Sequence, residues 1–173
     1  MYRKTLEIYL NDHLAGATTG QHVSRHLAER HRHSPYGGEL RRVADEIAED
    51  RQTLLRLLDA LGVPEHRHKV YAGRLAEKAR LFKLNGRLMR RSALSSVVEL
   101  EALRLGIEGK TLLWQTLLQL ARTRELDETQ LKRLLDRARR QAETVDSVRR
   151  SAAVAAFAPS RRRGTSRLLS ADA

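Results

Sequence analysis

Apolar residues that recur every three or four positions, in four separate stretches, constrain the fold of this chain more than any other feature. Such spacing places apolar side chains on one face of an α-helix. The stretches cover about residues 4–31, 38–61, 95–121 and 127–157, and each is long enough to span a small domain. Few runs of β-branched residues occur between them, so the chain is predicted to be all-α.

Local signals predict where these helices begin and end. A turn is predicted at residues 34–38 (SPYGG), and residues 62–64 (GVP) are predicted to end the second helix, because glycine terminates helices and proline cannot continue them. Ser96 and Glu99 have the spacing of a capping box at the start of the third helix. Asp127 is predicted to begin the fourth helix. Small residues at 15–20 (AGATTG) predict a close approach of another backbone to the first helix.

One long connection separates the second helix from the third. It covers residues 65–91 and is expected to be helical from about residue 69 to residue 84. Residues 158–173 form a basic tail that is expected to be disordered. The remaining chain, residues 1–157, is predicted to be a single helical domain. Four long helices with one long crossover between the second and third are the ferritin-like arrangement of a four-helix bundle.

The composition excludes several classes of chemistry. The 173 residues include no cysteine, which excludes disulfides, thiolate catalysis, zinc sites with cysteine ligands and iron–sulfur clusters. Neither a Gly-x-Ser-x-Gly elbow nor a glycine-rich phosphate loop is present, so an enzyme is not expected. The first residues are charged where a signal peptide is apolar, and no stretch is long and apolar enough to span a membrane. We therefore expect a cytoplasmic protein without a transmembrane segment.

The net charge of +12 is concentrated in two segments. Residues 65–91 carry +7 and residues 158–173 carry +3, and arginine supplies 27 of the 33 basic residues. These segments predict binding to nucleic acid or another polyanion, and the alternative is the solvated basic surface of an arginine-rich chain. With only seven aromatic residues in the chain, such binding is expected to be directed at the backbone and non-specific. The predicted polyanion-binding residues are Arg67, Lys69, Arg74, Lys78, Arg80, Lys83, Arg87, Arg90, Arg91, Arg161, Arg162 and Arg163.

Short segments in all four helices carry a family resemblance. They are residues 14–17 (LAGA), 43–50 (VADEIAED), 107–111 (IEGKT) and 141–146 (QAETVD). With these segments the chain resembles the ferritin-like superfamily, and within it the rubrerythrin-type di-iron proteins. The resemblance implies a four-helix bundle that uses one glutamate from each of two helices and a Glu-x-x-His pair from each of the other two as metal ligands.

Most of the implied metal ligands are replaced in this sequence, so the resemblance implies a degenerate di-iron site without a metal cofactor. The first helix has Ala17, the second has Ile47 and Asp50 for the Glu-x-x-His pair, and the third has Lys110. The fourth helix has the remaining pair as Glu143 and Asp146. No histidine follows residue 68.

Asp50 and Lys110 also interrupt otherwise apolar helix faces. We hypothesise that Lys110 pairs with Asp50 inside the bundle, together with Glu143 or Asp146. The alternative is that both side chains extend past the edge of the core to solvent.

These observations predict a non-catalytic bundle that binds a polyanion through the basic crossover and tail, and a homodimer is plausible. The alternative is a metal-binding or oxidative-stress protein of the same fold, with iron or manganese in a rearranged carboxylate site. A third reading is a helical partner of one specific acidic protein. The residues that would form the rearranged site are Glu46, Glu49, Glu101, Glu108 and Glu143.

Overall fold

Four long α-helices form the described part of the protein. The computed structural model describes residues 2–65 and 93–158, and in these residues it contains no β-strand. The all-α prediction is therefore confirmed. Helix α1 covers Tyr2–Arg30, α2 covers Gly37–Ala60, α3 covers Ala93–Leu120 and α4 covers Glu128–Phe157. None of these helices combines the length and the apolar composition needed to cross a membrane.

The contacts between helices define their directions. The chain reverses at the turn between α1 and α2 and again at the turn between α3 and α4, and each of these pairs packs together. Tyr9 near the start of α1 donates a hydrogen bond to Thr116 near the end of α3, at 3.1 Å. Arg30 at the end of α1 pairs with Glu99 near the start of α3, at 2.9 Å. Helix α1 is thus antiparallel to both α2 and α3, and α2 and α3 run in the same direction.

The apolar stripes predicted from the sequence meet in one core at the bundle axis. Leucine dominates this core, which also includes Trp114 of α3, 1% exposed. Burial of these side chains is the main favourable contribution to folding. The core residues include Leu10, Leu14, Leu27, Leu40, Val43, Ile47, Leu54, Leu58, Leu100, Leu103, Ile107, Leu117, Leu131, Leu134, Ala138, Val145 and Val148.

A tight turn joins α1 to α2 and depends on a glycine. The backbone amide of Gly37 donates a hydrogen bond to the carbonyl of Ser34, at 3.0 Å. A Cβ atom at position 37 would lie 2.7 Å from the carbonyl oxygens of His31 and Arg32. Backbone atoms cannot move aside as a flexible side chain can, so only glycine fits here. The predicted turn at residues 34–38 lies where it was expected.

The predicted signals at the end of α2 and the start of α4 are confirmed. Gly62 has φ 63°, and the amide of Val63 donates to the carbonyl of Leu58 at 2.9 Å, which is the hydrogen-bond pattern of a Schellman motif. At α4, Oδ1 of Asp127 accepts hydrogen bonds from the amides of Thr129 and Gln130, at 2.8 and 3.0 Å. An N-cap of this kind satisfies amides that have no partner within the helix.

One local prediction is wrong. Ser96 does not cap α3, because the helix already includes Ala93 and Ser96 is buried within it. Among the described residues, no atom lies within 4 Å of a Cβ added at Gly16 or Gly20, so the close approach of another backbone to the small residues of α1 stays a prediction. The predicted crossover helix lies outside the described residues, and of the predicted disordered tail only residue 158 lies within them.

Candidate functional site

The most unusual feature of the interior is a charged network in the middle of the bundle. Its centre is Asp50 of α2, whose residue surface is only 2% exposed. Lys110 of α3 donates to Oδ2 of Asp50 through Nζ, at 2.5 Å. Arg137 of α4 donates to Oδ1 of Asp50 through Nε at 2.9 Å, and also through Nη2. One buried carboxylate is therefore bound by two cations from two different helices.

Gln141 of α4 links the remaining groups of this network and is 1% exposed. Its Oε1 atom accepts a hydrogen bond from Lys110. Its Nε2 atom donates to Glu46 at 2.9 Å and to Asp50 at 3.3 Å. The amide thus satisfies the lysine on one side and the carboxylates on the other, as a buried polar group requires. We refer to Glu46, Asp50, Lys110, Arg137 and Gln141 as the central network.

The electrostatics of the central network follow from burial and pairing. Burial lowers the pKa of the Lys110 ammonium, and the neighbouring Asp50 carboxylate opposes this effect. For Arg137, burial by itself lowers the pKa, but Asp50 and Glu49 outweigh it and the pKa of the guanidinium is raised. Glu49 is on the solvent side of Arg137, at 2.8 Å from Nη1. Both cations are thus held in place by carboxylates of α2.

The predicted pairing of Lys110 with Asp50 is confirmed, whereas its predicted extension to Glu143 or Asp146 is wrong. Glu143 is exposed. Asp146 pairs with Arg149 and Arg150 of the same helix, both at 2.9 Å, and the hydrogen bond from Arg149 lowers the pKa of this carboxyl. The residues of α4 that contact Asp50 and Lys110 are Arg137 and Gln141 rather than Glu143 and Asp146.

Two further residues at the implied metal-ligand positions, Ala17 and Ile47, are uncharged. Ala17 is half-buried on α1, and Ile47 is 5% exposed and packs in the core one turn before Asp50. Of the implied metal-ligand positions, the structure therefore brings together Asp50 and Lys110. The other members of the central network are at positions that the resemblance did not imply: Glu46, Arg137 and Gln141.

The glutamates of the predicted alternative metal site do not converge. Glu46 and Glu49 contact Gln141 and Arg137, respectively. Glu108 pairs with Arg104 at 2.9 Å, Glu101 lies 3.9 Å from Arg149, and Glu143 is exposed. In the described ranges, no group of three or more histidine, aspartate or glutamate side chains has the arrangement needed to hold a metal ion.

Sequence reasoning missed Arg137 and Gln141, although one of them left a signal. Gln141 follows Leu134 and Ala138 at helical spacing and precedes Val145, so it is a polar residue in an apolar row, as Asp50 is in α2. Arg137 lies beside that row, and arginine is frequent throughout this chain. The predicted polyanion-binding residues of the crossover and tail lie outside the described residues.

Comparison with protein-family models, with curated proteins and with solved structures gives no match for this chain.

Proposed function

We propose that this chain is a ferritin-like bundle that has exchanged its metal ligands for an internal ion-pair network and acts as a non-catalytic binding protein for a polyanion such as nucleic acid. The observation that carries the proposal is the Lys110 ammonium bound to the buried Asp50 carboxylate. In the resemblance to rubrerythrin-type proteins, both positions correspond to metal ligands. A cation supplied by the protein itself thus occupies the position of a metal-ligand carboxylate.

The helix directions support the ferritin-like topology. Because α2 and α3 are parallel, the end of α2 and the start of α3 lie at opposite ends of the bundle. Asn11, near the start of α1, donates to the carbonyl of Pro64 at 3.2 Å, and Arg30, at the end of α1, donates to Ser95 at 2.6 Å. The residues between α2 and α3 therefore join opposite ends, as the single long crossover of a ferritin-like bundle does.

The charge balance of the central network argues against metal chemistry at Asp50. Lys110 and Arg137 both bind this carboxylate, so a divalent cation near Asp50 would be repelled by two positive charges at close range. In an interior of low effective dielectric constant, this repulsion is stronger than in water. The network therefore favours a structural role for Asp50 and Lys110. We accordingly place the binding of a polyanion at the surface of the protein.

The distribution of charge supports a polyanionic partner. Residues 1–64 are neutral overall and residues 92–157 carry +2, whereas the crossover and tail carry +10 of the total of +12. Arginine, which dominates these segments, forms bidentate hydrogen bonds with phosphate groups. The homodimer and the cytoplasmic location stay predictions.

Binding assays on the full chain test this proposal. We expect labelled duplex DNA and RNA to bind with an affinity that falls about a hundredfold between about 50 and 200 mM salt, as four phosphate contacts would require. Replacing three tail arginines (R161Q/R162Q/R163Q) should reduce the slope of log affinity against log salt by about 3. The matched variant R25Q/R41Q/R124Q removes the same charge from exposed positions of the bundle and should leave the slope close to that of the wild type.

The same measurements can contradict the proposal. Affinity that does not respond to salt would mean that binding is not directed at phosphates. Affinity that falls equally in both triple variants would mean that the tail is not a binding segment. Stoichiometric iron or manganese in the purified protein would instead favour the metal-binding alternative. Binding to anionic vesicles is measured in the same way. If the protein bound vesicles more strongly than nucleic acid, the partner would be a membrane surface.

A further inference from the structure

A groove between α2 and α4 lies directly outside the central network. Its volume is about 840 Å³, and α2 packs less closely against α4 than against α1. Both walls carry long polar side chains, and no aromatic residue lines the groove. Arg137 is shared between the two features, since its guanidinium contacts Asp50 on the inner side and lines the groove on the other.

Arginine residues make this groove basic. Arg133, Arg137 and Arg140 are spaced three and four residues apart on α4, so they share one face of the helix. The helical rise separates the first from the last by about 10 Å along the axis. Arg56 extends from α2 on the opposite wall. Four arginine residues therefore line one groove.

The two carboxylates that line the groove pair with only one of its four arginines. Glu49 is bound to Arg137 at 2.8 Å, and Asp136 is bound at 3.3 Å to Arg139, which lies outside the groove. Arg56 donates to the hydroxyl of Thr53, at 2.9 Å. Within the described part of the chain, Arg56, Arg133 and Arg140 form no salt bridge, so three cations remain for a ligand.

We propose that the groove between α2 and α4 binds an anion that carries several phosphoryl groups in a row, with Arg56, Arg133 and Arg140 as its direct contacts. Guanidinium groups bind phosphoryl oxygens through paired hydrogen bonds, and an extended row of arginines fits an extended ligand better than a single phosphate. A site for single-stranded nucleic acid would need aromatic side chains on which bases stack, and the groove has none. The ligand class favoured is therefore a short oligophosphate.

Arg137 acts in this site as a positioning residue. Two carboxylates of α2 hold its guanidinium, one buried and one at the surface. It therefore connects α4 to α2 at the wall of the groove. This inference goes beyond the proposed function, because it assigns an anion site to the bundle itself and needs neither the crossover nor the tail.

Calorimetric titration of the full chain with tripolyphosphate tests the inference. We expect one equivalent to bind to the wild type and the variant R133Q/R140Q to bind about 10- to 100-fold more weakly, because two charge-assisted contacts are lost. The control R41Q/R124Q removes the same charge from exposed positions outside the groove and should retain the affinity. Circular dichroism checks that all variants keep their helices.

Equal weakening in R133Q/R140Q and R41Q/R124Q would overturn the inference, because affinity would then follow net charge alone. Citrate that binds as tightly as tripolyphosphate would overturn the preference for phosphoryl groups. Oligothymidylate that binds more tightly, and loses affinity in R133Q/R140Q, would replace the oligophosphate by a nucleic-acid backbone. The tail variant R161Q/R162Q/R163Q should keep its affinity for tripolyphosphate, which distinguishes failure of this inference from failure of the proposed function.

Discussion

Asp50 is the residue on which the interior of this bundle depends most. A carboxylate that is 2% exposed loses nearly all of its hydration on folding and needs compensation by charge and hydrogen bonds. Lys110, Arg137 and Gln141 supply this compensation from α3 and α4. In such a network the removal of the central carboxylate leaves buried cations with fewer compensating contacts, which costs more than the intact pair contributes.

We therefore expect Asp50→Ala to be strongly destabilising. Both Lys110 and Arg137 lose their buried carboxylate, and the free energy of unfolding should fall by about 3–5 kcal/mol. Lys110→Met should cost less, about 1–2 kcal/mol, because Asp50 keeps Arg137 as a partner and the methionine side chain fills similar space. Urea denaturation followed by circular dichroism measures both values.

Glu49→Gln provides the matched control for this comparison. The Glu49 side chain is 66% exposed and contacts Arg137 from the solvent side, so its loss should change the free energy of unfolding by less than about 1 kcal/mol. If Asp50→Ala cost no more than Glu49→Gln, the central network would not be a structural element. A larger cost for Lys110→Met than for Asp50→Ala would mean that Lys110 has an essential contact besides this carboxylate.

At the scale of secondary-structure elements, the turn between α1 and α2 determines how closely these two helices pack. Ser34 Oγ donates to the carbonyl of His31 at 2.7 Å, and the amide of Gly37 donates to the carbonyl of Ser34. The first residue of α2 therefore lies directly against the backbone of His31 and Arg32, which follow the end of α1. Two adjacent glycines follow Tyr36, and only the first of them is in a crowded position.

The two glycines should respond differently to alanine. Gly37→Ala places a Cβ atom 2.7 Å from two carbonyl oxygens of the backbone, so we expect the free energy of unfolding to fall by about 1–3 kcal/mol. Gly38→Ala meets no atom within 4 Å and improves helix propensity, so it should raise the free energy of unfolding by up to about 1 kcal/mol. Thermal denaturation of the two variants checks this, and a similar loss in both would contradict the role of the turn.

For the whole molecule, positive charge opposes folding at low pH. The net charge is already +12 with all seven histidines neutral. Burial lowers the pKa of His13, which stacks edge-on against Tyr9 with ring centroids 4.5 Å apart. Burial, reinforced by the charge of Arg30, also lowers the pKa of His31. Both imidazoles are therefore more easily protonated in the unfolded chain than in the bundle.

We predict that stability falls as the pH decreases from about 7 to about 5. In this range the unfolded chain binds protons at His13 and His31 near the ordinary pKa of 6.5, whereas the folded chain binds them only at lower pH. The double variant H13Q/H31Q should show a smaller decrease in the free energy of unfolding over this range. The control H22Q/H26Q changes two exposed histidines of α1 and should follow the wild type. Equal slopes in the two double variants would refute the assignment.

Much of this architecture could be predicted from the sequence because helical periodicity and end signals are local. The four helices, the Gly62 terminus and the Asp127 cap lie within one or two residues of their predicted places. The capping box predicted at the start of α3 is wrong, because Ser96 and Glu99 have cap spacing but the helix already includes Ala93. A capping box is defined by a few side chains, and helix formation before it depends on packing that those side chains do not encode.

The sequence by itself determined the helices and the concentration of charge, and it led to the hypothesis that Asp50 and Lys110 pair inside the bundle, since both interrupt apolar faces. Only the tertiary structure decided that Arg137 and Gln141 join them and that Glu143 does not. The physical reason is geometric. Adjacent residues on a helix point about 100° apart, so a small rotation or axial shift of α4 changes which side chain reaches Asp50. That rotation is set by the packing of the whole core.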